Sequence, residues 1–170
     1  MVLKDKIPLF KVYMNPSAKD AVCEVLDSGY IGQGPKVDEF EKQIGDYFGN
    51  KKVITTNAGT SALHLALHLL KKPKPHWNED VFQGVAFVSH NWPGIEDGDE
   101  VLATPLTCTA SNWPIVANNL KIKWVDIDPT TLNMDLEDLE RKMTPKTKAI
   151  MGVHWGGYPL DLDEIRNIRA

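Results

Sequence analysis

The stretch Thr55-Thr56-Asn57-Ala58-Gly59-Thr60-Ser61-Ala62-Leu63-His64 constrains this chain more than any other. Before it, Lys52-Val53-Ile54-Thr55 reads as a short β-strand, because β-branched residues fit a pleated, half-buried surface. After it, residues 62–70 are rich in Ala and Leu, which lose little conformational freedom in a helix. Between strand and helix lie a small turn residue, Asn57, then Gly59 and two hydroxyls. The first N–H groups of a helix have no internal partner, and the helix dipole places partial positive charge beside them. A strand–turn–helix built this way is suited to hold a phosphate or a carboxylate. The plainer reading is an ordinary β–α turn with a Thr or Ser N-cap, since short Gly/Ser/Thr motifs recur by chance.

Upstream, Ile7-Pro8-Leu9-Phe10 is an apolar lead-in, and Ser17-Ala18-Lys19-Asp20 resembles a helix start with Ser17 as N-cap. Ala18, Val22, Val25 and Leu26 would form its apolar stripe, and Gly29 is placed to stop it. A loop through Gly32-Gln33-Gly34 leads to Pro35, a proline suited to the first helical position. The next helix puts Val37, Phe40, Ile44 and Tyr47 on one face and stops at Gly49-Asn50.

Downstream, the helix after Gly59 stops at Pro73. Its His64 and His68 stand at i, i+4, but no third ligand is in view and no metal site is expected. Residues 73–96 hold Pro73, Pro75, Pro93, Gly84 and Gly94, around a strand-like run at 81–88. So long a connection implies an insertion or a disordered loop. From Asp97 onward strands and helices alternate. Strands are expected at 100–104, 121–127 and 148–154, and helices at 108–119, 136–143 and from 161. Pro114 should sit near the first turn of its helix. The alternation argues for an α/β fold with a mainly parallel sheet and flanking helices.

Composition narrows the function. The 170 residues fit one domain, and 42% hydrophobic with 25% charged residues is ordinary for a globular protein. A net charge of −4, with Lys and Arg spread along the chain, leaves no basic footprint for nucleic acid. Charge interrupts the amino terminus too early for a secretory segment, and no run approaches a membrane span. Cys23 and Cys108 are far apart, so a reduced, cytoplasmic protein is the default.

Several segments then fall into one order: Gly34-Pro35 with Glu39-Phe40-Glu41, the 57–63 turn, and Gly98-Asp99-Glu100-Val101 leading to Pro105. Val125-Asp126-Ile127-Asp128-Pro129, Thr144-Pro145-Lys146-Thr147-Lys148-Ala149-Ile150, Val153-His154-Trp155-Gly156-Gly157 and Pro159-Leu160-Asp161-Leu162-Asp163 follow. Taken together they resemble the DegT/DnrJ/StrS family of nucleotide-sugar aminotransferases, over nearly the whole chain except 73 to about 96. The resemblance implies the amino-terminal half of the type I aminotransferase large domain and pyridoxal 5′-phosphate as cofactor. It implies a reaction that moves an amino group from an amino acid, glutamate by expectation, to a nucleotide-linked keto sugar, in a homodimer. Gly59, Thr60 and Ser61 would hold the cofactor phosphate, and Gly32, Gln33 and Gly34 would approach the sugar. The family commonly places an aromatic residue over the cofactor ring shortly after the proline at 105. Here Cys108 or Thr109 would stand there, according to a one-residue shift in alignment. The family's Schiff-base lysine and ring-nitrogen aspartate would lie beyond Ala170, which leaves no catalytic residue to assign and an inactive stretch by itself. A second reading is a non-catalytic module that binds or assembles with a partner chain. A third, a relative of other type I pyridoxal enzymes, is disfavoured by the ordered motifs.

Overall fold

A computed structural model describes residues 11–71 and 94–169. The chain divides into two compact units, Met1–Thr55 and Thr56–Ala170.

In the first unit, α1 (Ala18–Ser28) ends on Gly29 and α2 (Pro35–Phe48) ends on Gly49, both in the left-handed conformation that a Cβ disfavours. Pro35 occupies the first turn of α2, where its missing N–H costs nothing. Ser17 does not cap α1 through its side chain; the hydroxyl donates instead to Oδ1 of Asn15, which competes for it locally. The expected inward stripes are not covered within the described residues. Val22, Leu26, Phe40 and Tyr47 are all more than half exposed.

The expected strand at 52–55 is also corrected. These residues have no ladder partner among the described residues, and Ile54 is exposed. β-branched composition favours extended backbone, but a strand exists only when a neighbour completes its hydrogen bonds. The segment is tied down by Glu41, which accepts from the Thr55 N–H at 2.7 Å and the Thr55 hydroxyl at 2.8 Å. These two bonds, the backbone one first, hold the Glu41 carboxyl below its ordinary pKa.

The second unit runs α3 (Gly59–Leu69), β1 (Glu100–Ala103), α4 (Thr109–Ala117), β2 (Lys121–Trp124), α5 (Leu136–Lys142), β3 (Thr147–Met151) and α6 (Leu162–Arg169). Among the described residues the strands form one parallel sheet in the order β2-β1-β3. Val101 lies opposite Ile122 and Ala149, and Leu102 opposite Lys123 and Ile150. The central strand is apolar without interruption over Val101, Leu102 and Ala103, as expected of a parallel strand covered on both faces. Strand alternation sends Val101 and Ala103 to one side, with Leu67 of α3, Ile95, Ile115 of α4 and Leu120. Leu102 goes to the other side, with Val125, Met134, Leu139 and Leu160; Ile165 and Ile168 of α6 pack against that cluster. The result is a three-layer α/β/α arrangement.

Two expectations change here. Pro114 is the sixth residue of α4, not in its first turn, so the helix gives up one internal hydrogen bond and continues. Of the expected insertion at 73–96, residues 73–93, with the strand-like run at 81–88, lie outside the described residues, as does the lead-in at 7–10. The last three residues belong to the fold. Ile95 is 1% exposed, its N–H donates to the Leu70 carbonyl at 2.9 Å, and it bridges to Lys71.

Candidate functional site

The direction of α3 follows from its end. The Lys71 ammonium meets the Asp97 carboxylate and donates to the Asn118 carbonyl at 2.7 Å. Gly98 N–H bonds to Asn119 O at 2.8 Å and Lys121 N–H to Asp99 O at 2.8 Å, so this cluster sits where β1 and β2 begin. The carboxyl end of α3 is therefore at the amino edge of the sheet. At about 1.5 Å per residue the helix spans the sheet, which leaves its first turn at the carboxyl edge. Asn118, buried, fixes α3 to α4 by donating to His64 O at 3.2 Å and Pro114 O at 2.9 Å. The His64 ring packs edge-on against Trp113 at 5.5 Å, which gives this histidine a packing contact.

At that first turn the predicted anion residues are together. The cap residue Ala58 is extended and has no side chain to bond the amides of Gly59, Thr60 and Ser61. The only helical donor it receives is Ala62 N–H, to its carbonyl at 3.1 Å. Thr56 donates its hydroxyl to Ala58 O at 2.9 Å, and Ser61 its hydroxyl to Asn57 Oδ1 at 2.8 Å. The turn is thus braced from the side, while among the described residues the N–H groups of residues 59–61 have no partner. The half-buried Thr60 hydroxyl has no partner among the described residues. An N-terminus without a side-chain cap presents backbone N–H groups of the kind that suit an anion.

The loop after β1 reaches the same edge. Leu106 N–H bonds to Thr104 Oγ1 at 3.3 Å, and the Thr107 and Ser111 hydroxyls are 2.9 Å apart. Cys108 is the extended N-cap of α4 and Thr109 its first residue; both are exposed. Asn112 Nδ2 donates to Thr104 O at 3.1 Å, whereas its buried Oδ1 has no hydrogen-bond partner among the described residues. After β2, Asp128 accepts from Thr130 N–H at 2.8 Å and the Thr131 hydroxyl at 2.9 Å. These bonds hold its pKa below the ordinary value, so it stays ionised as a turn former. After β3 come His154 and Trp155, followed by Gly156 and Gly157 at φ of 58° and 84°. That conformation strains any residue with a Cβ.

The structure therefore brings Gly59, Thr60, Ser61, Cys108 and Thr109 to one edge of one unit. Gly32, Gln33 and Gly34 belong to the other unit, in the loop between α1 and α2, with Gly34 as the N-cap of α2. No lysine stands in the loops that follow β1, β2 or β3 at 104–108, 125–135 and 152–161. The residues that sequence reasoning did not single out are Asn112, Asn133 and His154. His154 was visible only as part of a longer motif, and nothing in the sequence marks the partners of the Asn112 and Asn133 side chains.

Among the described residues no helix is long and apolar enough to cross a membrane. The sequence profile of the DegT/DnrJ/EryC1/StrS aminotransferase family matches residues 13–76 and 84–170. GDP-perosamine synthase of Caulobacter vibrioides is 36% identical over 156 residues, which make up 91% of this chain and 36% of that protein. The solved structure of the sugar aminotransferase CalS13 from Micromonospora echinospora superposes with a TM-score of 0.76 at 46% identity, covering 96% of this chain and 38% of that one. An E. coli GDP-4-keto-6-deoxy-D-mannose-3-dehydratase with bound hydrated PLP superposes with a TM-score of 0.77 at 29% identity, again over 96% and 38%. The chain spans little more than a third of the length of these relatives.

Proposed function

The chain belongs to the DegT/DnrJ/EryC1/StrS aminotransferase family, and from that premise we propose that it forms the cofactor-phosphate half of a pyridoxal-phosphate-dependent enzyme acting on nucleotide-linked sugars. The observation that carries this reading is the uncapped first turn of α3 at the carboxyl edge of a parallel sheet. Ligands of open α/β sheets bind outside the carboxyl ends of the strands, and phosphates favour exposed helix amides. The residues present fit the cofactor's phosphate. The amides of Gly59, Thr60 and Ser61 and the hydroxyl of Thr60 would bind it, and Cys108 or Thr109 would lie along the ring. When bound, the cofactor supplies the electron sink that amino-group transfer requires.

The reaction we infer for the whole protein moves an amino group from glutamate to a keto sugar carried on a nucleotide, in the cytoplasm and as a homodimer. Gly32, Gln33 and Gly34 would approach the sugar. GDP-perosamine synthase and CalS13 support transfer to sugars; the dehydratase shows that the family's chemistry on keto sugars is broader than transfer. With no lysine in the loops at the carboxyl edge, this stretch by itself should bind the cofactor through phosphate and not transfer an amino group.

Titration of the purified chain with pyridoxal phosphate tests the reading. Binding should be competed by inorganic phosphate and weakened about tenfold by Thr60→Val, the loss of one hydrogen bond to a charged group. Borohydride reduction followed by peptide mapping should give only scattered lysine labelling. Stoichiometric labelling of one lysine would overturn the phosphate-only reading, and binding indifferent to inorganic phosphate would overturn the assignment of Gly59, Thr60 and Ser61.

A further inference from the structure

The loop after β3 is held more firmly than its exposure requires. Asn133, only 5% exposed, reaches it from the β2–α5 connection. Its Oδ1 accepts from the Trp155 N–H at 2.9 Å, and its Nδ2 donates to the carbonyls of Tyr158 and Pro159 at 3.1 and 3.2 Å. Inside the loop, Gly157 N–H bonds to His154 O at 3.1 Å and Tyr158 N–H to Trp155 O at 2.9 Å. The loop closes on the histidine ring itself, where Leu160 N–H donates to His154 Nδ1 at 2.9 Å. Leu160 is anchored in the core at 6% exposure.

That last bond fixes the chemistry of an exposed side chain. A nitrogen that accepts cannot carry the proton, so the neutral imidazole is held with its hydrogen on Nε2. Among the described residues Nε2 has no partner, and the ring stands at the carboxyl end of β3, the strand next to β1. Ordering an exposed ring costs rotamer entropy, and no bond at Nε2 within the described residues offsets it. We infer that His154 donates a hydrogen bond through Nε2–H to an anionic oxygen of the ligand at the carboxyl edge of the sheet, and that Asn133 is the positioning residue that holds it there. The inference rests on the site proposed above for Gly59, Thr60 and Ser61 and adds a second contact to the same ligand.

The test uses the chain labelled with 15N in its histidines and backbone, with pyridoxal phosphate as probe. Long-range proton–nitrogen spectra of the free protein should show a bare Nδ1 and a protonated Nε2 at His154. Adding pyridoxal phosphate should shift that Nε2–H together with the amides of Gly59, Thr60 and Ser61. His154→Asn keeps an acceptor for the Leu160 N–H, so Leu160 amide exchange should be unchanged while the dissociation constant rises about three- to tenfold, the worth of one hydrogen bond. Asn133→Ala should instead speed exchange at Trp155 and mix the two ring tautomers. A proton on Nδ1 in the free protein overturns the inference. So does a His154 signal that stays still while the 59–61 amides move, and in that case the phosphate site stands without it. If neither group responds, the phosphate site fails and this contact fails with it.

Discussion

Asp138 is 2% exposed and carries a charge, which a buried carboxylate keeps only with several donors. It accepts from the Asp126 N–H and the Lys142 ammonium, each at 2.7 Å, and from the Arg141 guanidinium. Burial by itself would raise its pKa; the Asp126 N–H and the two cations outweigh that and lower it to about 2. A carboxyl whose folded pKa lies below its unfolded value of 3.8 stabilises the fold above pH 4. That contribution falls away as the pH drops from 4 toward 2. Asp138→Ala should cost about 2–3 kcal/mol at neutral pH, because it strands the Asp126 N–H and removes two charged partners. Urea denaturation at pH 7 and at low pH should show the gap between variant and parent narrowing in acid; a gap independent of pH would mean that packing, not charge, holds α5. Glu100 is kept ionised in a related way, first by the Thr144 hydroxyl at 2.7 Å, so its pKa is also lowered.

Helices and strands were not equally legible. α2 could be read almost to the residue, since Pro35 and Gly49 mark its ends by their own backbone chemistry. β1 was legible as an apolar run, and the switch to Ala and Leu after Gly59 placed α3. What the sequence hid depended on neighbours. Residues 52–55 have strand-like side chains but no paired strand among the described residues, and Pro114 is carried inside α4 because tertiary contacts outweigh one lost bond. At the candidate site, the turn over 55–64 was legible because it is local, ten residues in a row. The contacts of Asn133 were not, because they join segments well apart in sequence. Asn118 offers a test at this scale. Asn118→Ala removes the donor to His64 O and Pro114 O, and should destabilise the second unit by about 1–2 kcal/mol. Faster amide exchange along α3 should accompany it; unchanged exchange would show that Leu67 and Ile115 alone hold the helix pair.

Among the described residues, the first unit leaves many large apolar side chains exposed. Val12, Tyr13, Met14, Ile31, Tyr47, Phe48 and Ile54 in the first unit are each more than three-fifths exposed, on or beside two amphipathic helices. Large apolar side chains exposed in such number are a feature of surfaces that bind another chain or another copy. The isolated 170-residue chain should therefore associate as its concentration rises, and sedimentation velocity would show it. A monodisperse monomer that unfolds in one cooperative step would count against that expectation. The stripes themselves do not name the partner, because an amphipathic stripe says that a face is covered and not by what; the expected homodimer came from the family resemblance.

The clamp at Lys71 and Ile95 has a practical consequence. Both ends of the segment between them are held by the fold, by the Lys71–Ile95 bridge, the Leu70 carbonyl and the Lys71–Asp97 ion pair. The entropy of closing such a segment grows only with the logarithm of its length. Removing residues 77–83, which the family profile passes over, should change stability by about 0.3 kcal/mol from closure entropy alone. The same logarithm applies to lengthening, so a reporter peptide inserted within 77–83 should leave α3 in place.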